Sequence, residues 1–132
     1  MKTITEIKAE KEAKFNDLIK SVGMFFAFSN QQFNENKTPL KEGEKYVSLG
    51  AGAYMPKGNV DLWVNESKAI NKWYKEEVKE NKARKANIVY ELNNHEAFYT
   101  GELEETLEAL GEDYTREEVR EVYNAEREKQ LA

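Results

Sequence analysis

Apolar residues recur at two different periods along this chain, and the switches between them mark out its elements. Phe15, Leu18, Ile19 and Val22 stand at the i, i+3, i+4, i+7 spacing of one helical stripe. The spacing predicts a first helix, capped by Thr3 or Thr5, that reaches about Val22 and ends at Gly23. Its earlier turns, Lys8 to Lys14, are mostly Lys, Glu and Ala, and are expected to project into solvent or rest lightly on the body. Met24-Phe25-Phe26-Ala27-Phe28 is an apolar run too short for a helix, and it predicts a central strand buried on both faces. Ser29 to Gln32 has the S-x-x-Q spacing of a capping box. A short helix through Phe33 should follow, stopped by Thr38-Pro39.

Tyr46-Val47-Ser48-Leu49 predicts a second strand, with Tyr46, Ser48 and Gly50 on one face and Val47, Leu49 and Ala51 on the other. Gly50-Ala51-Gly52-Ala53 continues it almost without side chains, which permits close approach by a backbone, a ligand or an aromatic ring. Met55 to Asn59 reads as a turn in which Gly58-Asn59 supplies positive φ angles. The longest helix is expected over 59–82, with Val60, Trp63, Ser67, Ile70, Tyr74 and Val78 on one face. Lys68, Lys72, Lys75, Lys79 and Lys82 make a stripe opposite.

Ile88 to Leu92 predicts a third strand, leading into the polar corner Asn93-Asn94-His95-Glu96. Thr100 should cap a helix with Leu103, Leu107 and Leu110 as its ridge, ended by Gly111. Glu102, Glu104 and Glu105 suit the positive end of its dipole. Thr115 to Glu118 is a second capping box, opening a last helix with Val119, Val122 and Tyr123 inward. The sum is an α+β fold: roughly three strands in a small sheet, helices packed mainly on one face, and two acidic C-terminal helices.

Length changes this picture little: 132 residues fit a single domain, with a helix over 1–22 and a core over 24–123. Charge changes it more. Residues 1–90 carry 16 Lys/Arg and 12 Asp/Glu, whereas residues 91–132 carry 4 and 13. The acidic third favours a basic partner or neutralisation by the protein's own basic surface, and disfavours direct nucleic-acid binding. Absent Cys excludes disulfides and thiolate chemistry, and a single His removes most zinc-site options. No cofactor or metal is expected, with a carboxylate-only site for a hard cation as the alternative that the composition leaves open. No apolar run is long enough to span a bilayer and no signal-peptide pattern opens the chain, so the expected location is the cytoplasm.

Three features bear on chemistry. His95 beside Glu96, with Asn94, suits a general base at an element's exit, but no nucleophile elbow or triad motif accompanies it. Backbone satisfaction at the corner is the simpler reading. The Gly50, Gly52 and Lys57 stretch suits a ligand floor near a helix start, yet it lacks the spacing of phosphate-binding loops. A strand thinned for aromatic packing is the competing reading. The lysine stripe is the ordinary solvated side of an amphipathic helix.

The segments Phe25 to Phe33, Gly50 to Lys57 and Asn94 to Gly101 together resemble a family of small, functionally uncharacterised proteins encoded by bacteriophages and mobile elements. The resemblance spans about Met24 to Tyr123. It implies that the Asn-His-Glu corner and the glycine strand are family features, and it carries no catalytic residue. The implied context is that of accessory proteins that bind a host protein or protein–nucleic-acid complex, including inhibitors of host defence such as anti-CRISPR proteins.

The expected function is therefore non-enzymatic binding through Glu102, Glu104, Glu105, Glu108, Glu112 and Asp113, six acids without a base between them. The alternatives are a small-ligand or nucleotide module using Gly50–Gly58 and His95, and a weak hydrolase built on His95 and Glu96. A homodimer through Trp63, Trp73 or another exposed aromatic is compatible with the pattern.

Overall fold

A computed structural model describes residues 1–131 and divides the chain into two compact units. One is Lys8–Lys75; the other joins Met1–Ile7 to the chain from Glu76 onward. Among the described residues the fold is α+β, with seven α-helices and one three-stranded antiparallel sheet.

The unit Lys8–Lys75 holds most of α1 (Ile4–Ser21), β1 (Phe25–Phe26), α2 (Asn30–Asn36), β2 (Tyr46–Gly50), β3 (Ala53–Pro56) and most of α3 (Val60–Glu80). Helical periodicity places Leu18 and Val22 of α1 in a core with Met24, Ala53, Met55 and Ile70. Phe15, Ile19 and Trp63 pack on its margin. The early turns of α1 rest on α3. Lys8 Nζ donates to Tyr74 Oη at 3.0 Å, and the Lys11 and Lys14 ammoniums lie 4.2 and 4.6 Å from the Tyr74 and Trp73 ring centres. Gly23 ends α1 as its position suggests. With φ +70° it lets Met24 N–H reach back to the Ile19 carbonyl at 3.0 Å, the Schellman closure of a helix.

The sheet order is β1-β3-β2, so the Phe-rich run is an edge strand and not the central, doubly buried one its composition suggests. Pleating decides this: Phe25 is buried, while Phe26 and Phe28 are exposed. Four aromatic rings cover one face. Phe25, Tyr46 and Tyr54 come from the three strands, and Phe33 of α2 meets each of them at 5.1 to 5.4 Å between centroids. Ser29 caps α2 as its spacing predicts, its Oγ accepting Gln32 N–H at 3.1 Å, but the box is not reciprocal, because the Gln32 side chain accepts from Phe28 N–H and not from Ser29 N–H.

The glycine stretch is not a continued strand. Gly50, Ala51 and Gly52 all take positive φ and turn the chain from β2 into β3. Met55-Pro56, expected in a turn, belongs to β3 instead, and Lys57–Asn59 forms a 3₁₀ turn in which neither Gly58 nor Asn59 has positive φ. The long helix and its two faces match their pattern. Ile70 and Val78 are buried, and Lys68, Lys72, Lys75, Lys79 and Lys82 are exposed.

The second unit is helical: α4 (Arg84–Asn94), α5 (Ala97–Thr100), α6 (Glu104–Leu110) and α7 (Arg116–Leu131). Residues 88–92, expected as a strand, lie inside α4. Ile88 and Leu92 are four apart, and with Asn87 and Glu91 they form one buried helical face, a spacing that also fits a short strand. The third strand is β3. Thr100 does not cap the following helix; it ends α5, and its hydroxyl accepts Glu102 N–H at 3.2 Å. Thr115 does cap α7, accepting Glu118 N–H at 3.1 Å. Ile88, Leu92, Ala97, Leu103, Val119 and Tyr123 make the core of this unit. Thr3 and Glu6 form a reciprocal capping box at the start of α1, and Lys2 N–H donates to Asn81 Oδ1 at 2.8 Å. No helix among the described residues is long and apolar enough to cross a membrane.

Two left-handed positions yield opposite expectations. At Gly52 a Cβ would stand 2.5 Å from the Phe28 ring, so Gly52→Ala should destabilise the chain by about 1–3 kcal/mol in urea unfolding. Lys82, with φ 52° after α3, is a lysine where glycine is preferred. Lys82→Gly should leave stability unchanged or raise it by up to about 1 kcal/mol in the same assay.

Candidate functional site

α4 brings the candidate residues of the second unit together. It has good helix formers at its start and a face built from Asn87, Ile88, Glu91 and Leu92, all buried. A helix places residues four apart on one side, so Glu91 and His95 meet. His95 caps α4, its N–H donating to the Glu91 carbonyl at 3.1 Å. Its Nε2 lies 3.3 Å from Glu91 Oε2 and its Nδ1 3.5 Å from Glu105 Oε2. Nε2 is shielded from solvent and lies near Glu91 Oε2 without the alignment of a hydrogen bond. Buried Thr106 of α6 donates its hydroxyl to the Glu91 carbonyl at 3.3 Å.

The carboxylates beside His95 are therefore Glu91 and Glu105. Glu96, the expected partner, follows the α4 end with φ 56° and instead lines a shallow hollow of about 380 Å³ with Asn93, Phe98 and Tyr99. Asn94 is the exposed last residue of α4. Gly50, Gly52 and Lys57 lie in the other unit. There the Phe28 ring lies over Gly52 and occupies the space a ligand on that glycine would need.

The acidic segment divides by environment. Glu104 pairs with Arg116 at 2.7 Å and Glu105 faces His95. The Asp113 carbonyl accepts from Arg84 at 2.5 Å. Glu102, Glu108 and Glu112 are exposed, and among the described residues no ion pair neutralises them.

Arg84 is the chief electrostatic brace of this unit. Its Nε and Nη2 donate to the two Glu118 carboxylate oxygens at 2.6 and 2.8 Å, and its guanidinium lies 4.0 Å from the Tyr114 ring centre. Asn87 Nδ2 donates to the Tyr114 hydroxyl at 2.9 Å. Pattern reading missed Arg84, Asn87, Glu91 and Glu118. The Glu91–His95 spacing is visible only once the segment is recognised as helical. Arg84 to Glu118 is a pairing between helices that no local signal announces.

The Arg84 hydrogen bond holds the Glu118 carboxyl below its ordinary range; partial burial opposes it, and the Arg84 charge and Thr115 backbone reinforce it. A depressed folded-state value means the brace stabilises fully above the unfolded carboxylate pKa and is lost as pH falls through the lowered one. Glu118→Gln should cost about 1 kcal/mol at neutral pH, and the difference from the natural sequence should shrink on acidification through the carboxylate range. Thermal melts across that range check it.

Comparison with known proteins completes the picture. No curated protein and no solved structure matches the chain. Residues 5–129 match one family, described as a family of unknown function, DUF7659. With nearly its whole length covered, and in keeping with its resemblance to an uncharacterised family, the chain belongs to DUF7659.

Proposed function

We propose that this protein is a non-enzymatic binding protein that presents the acidic segment Glu102–Asp113 to a basic partner. The observation that carries the reading is the state of Glu102, Glu108 and Glu112, which are exposed and unneutralised among the described residues. Charge distribution supports it. The unit formed by residues 1–7 and 76–132 carries 9 Lys/Arg against 17 Asp/Glu, whereas residues 8–75 carry 11 against 8. An acidic face of this kind speeds encounter with a basic surface and selects against acidic competitors.

The resemblance to phage and mobile-element proteins points to a host partner in the host cytoplasm: a protein or protein–nucleic-acid complex with a basic channel. Inhibition of a host defence system is the consequence we propose. Binding is favoured over hydrolysis because His95 Nε2 is shielded and its neighbours are carboxylates. It is favoured over a ligand on the glycine turn because Phe28 covers Gly52.

Capture from nuclease-treated bacterial lysate tests the proposal, with the natural sequence and a Glu102→Gln/Glu108→Gln/Glu112→Gln variant in parallel. The natural sequence should retain one host complex in constant proportion, weakened by salt. The variant should retain at least about tenfold less, a loss on the order of 1.4 kcal/mol. Equal recovery by both, from hosts that yield a complex, would contradict the acidic face as the binding surface.

A further inference from the structure

With β3 in the middle of the order β1-β3-β2, β1 has one paired side and one outward side. Phe25 pairs with Tyr54 and Phe26 with Ala53, and Ala27 N–H donates to the Gly52 carbonyl at 2.8 Å. Main-chain groups alternate sides along a strand, so those of Ala27 face β3, whereas the Phe26 carbonyl and Phe28 N–H face away from it. A further strand would normally meet these two groups. Here side chains of α2 meet them. Asn36 Nδ2 donates to the Phe26 carbonyl at 2.9 Å, and Gln32 Oε1 accepts Phe28 N–H at 2.9 Å. One carboxamide N–H and one carboxamide C=O thus stand where the N–H and C=O of a neighbouring strand would be. Phe33, packed among the sheet's aromatic rings, and the Ser29 cap hold α2 in this place.

Exposed apolar edges associate unless something blunts them. Phe26 is 47% exposed and Phe28 77%, so the side chains on this edge do not blunt it. The outward groups are also self-complementary. About a two-fold axis at Ala27, Phe28 N–H of each copy meets the Phe26 carbonyl of the other, which is the hydrogen-bond pattern of an antiparallel pair. We infer that Gln32 and Asn36 close the β1 edge, and that the edge, once opened, takes β1 of a second copy of this chain, antiparallel about Ala27. This surface is independent of the acidic segment.

Light scattering over a concentration series tests it, comparing the full natural chain with Gln32→Ala/Asn36→Ala. The double variant should double its mass as concentration rises while the natural chain keeps its own, and at concentrations below the doubling the variant's Phe28 amide should exchange hydrogen faster than the natural chain's. Adding Phe28→Pro removes the donor N–H and should abolish the doubling, whereas Gln32→Glu alone keeps the acceptor and should behave as the natural chain. A folded double variant with a fast-exchanging Phe28 amide and unchanged mass at every concentration would overturn the inference. So would a doubling that survives Phe28→Pro. If the double variant loses helical circular dichroism, Gln32→Met/Asn36→Leu, which removes both carboxamides but keeps helix-forming side chains of similar size beside Phe33, is read by the same outcomes.

Discussion

Everything in the second unit depends on how α4 buries one face. Ile88 and Leu92 supply the apolar contacts, packed against Ala97, Leu103, Val119 and Tyr123. The same face also carries Asn87 and Glu91, and burying polar groups is costly unless they are satisfied. The unit answers that demand locally. Tyr114 accepts from Asn87, Thr106 donates to the Glu91 carbonyl, and His95 sits one turn on from the Glu91 carboxylate. Thr106, fully buried on α6, thus finds on α4 the acceptor its hydroxyl needs, beside the contacts of Leu107 and Leu110.

That arrangement separates two kinds of acid that look alike in sequence. Glu91, Glu104, Glu105 and Glu118 are engaged with His95, Arg116 or Arg84 and belong to the architecture. Glu102, Glu108 and Glu112 are exposed and take part in no ion pair among the described residues. In the unit Lys8–Lys75 a parallel economy governs polar side chains: Gln32 and Asn36, ordinary helix residues by pattern, satisfy main-chain groups of a sheet edge.

Long periodic segments were legible in the sequence. The faces of α1, α3 and α7, the Gly23 stop and the Ser29 and Thr115 caps all follow from spacing and side-chain chemistry. Short apolar runs were not. Ile88 to Leu92 satisfies strand and helix periods equally, and only the length of α4 with its flanks resolves it. The Phe-rich run misled for a related reason: composition suggests burial, but edge or centre is decided by which strand β3 pairs with on each side. Of the Asn93–Glu96 corner only His95 and Glu96 lie beyond the element, Asn93 and Asn94 being part of α4, and the partners of His95 depend on that element being a helix. By its sequence Gly52 is a thin surface, and the Phe28 ring over it is the aromatic packing such a surface allows.

The most direct test of the acidic-face account is a nitrogen-15 NMR titration of the full chain with an arginine-rich peptide, at low and then moderate salt. The account predicts saturable, salt-sensitive shifts centred on residues 102–113, largest around Glu102, Glu108 and Glu112. Weak, non-saturating shifts spread evenly over the acids of α7 and the rest of the chain would contradict it.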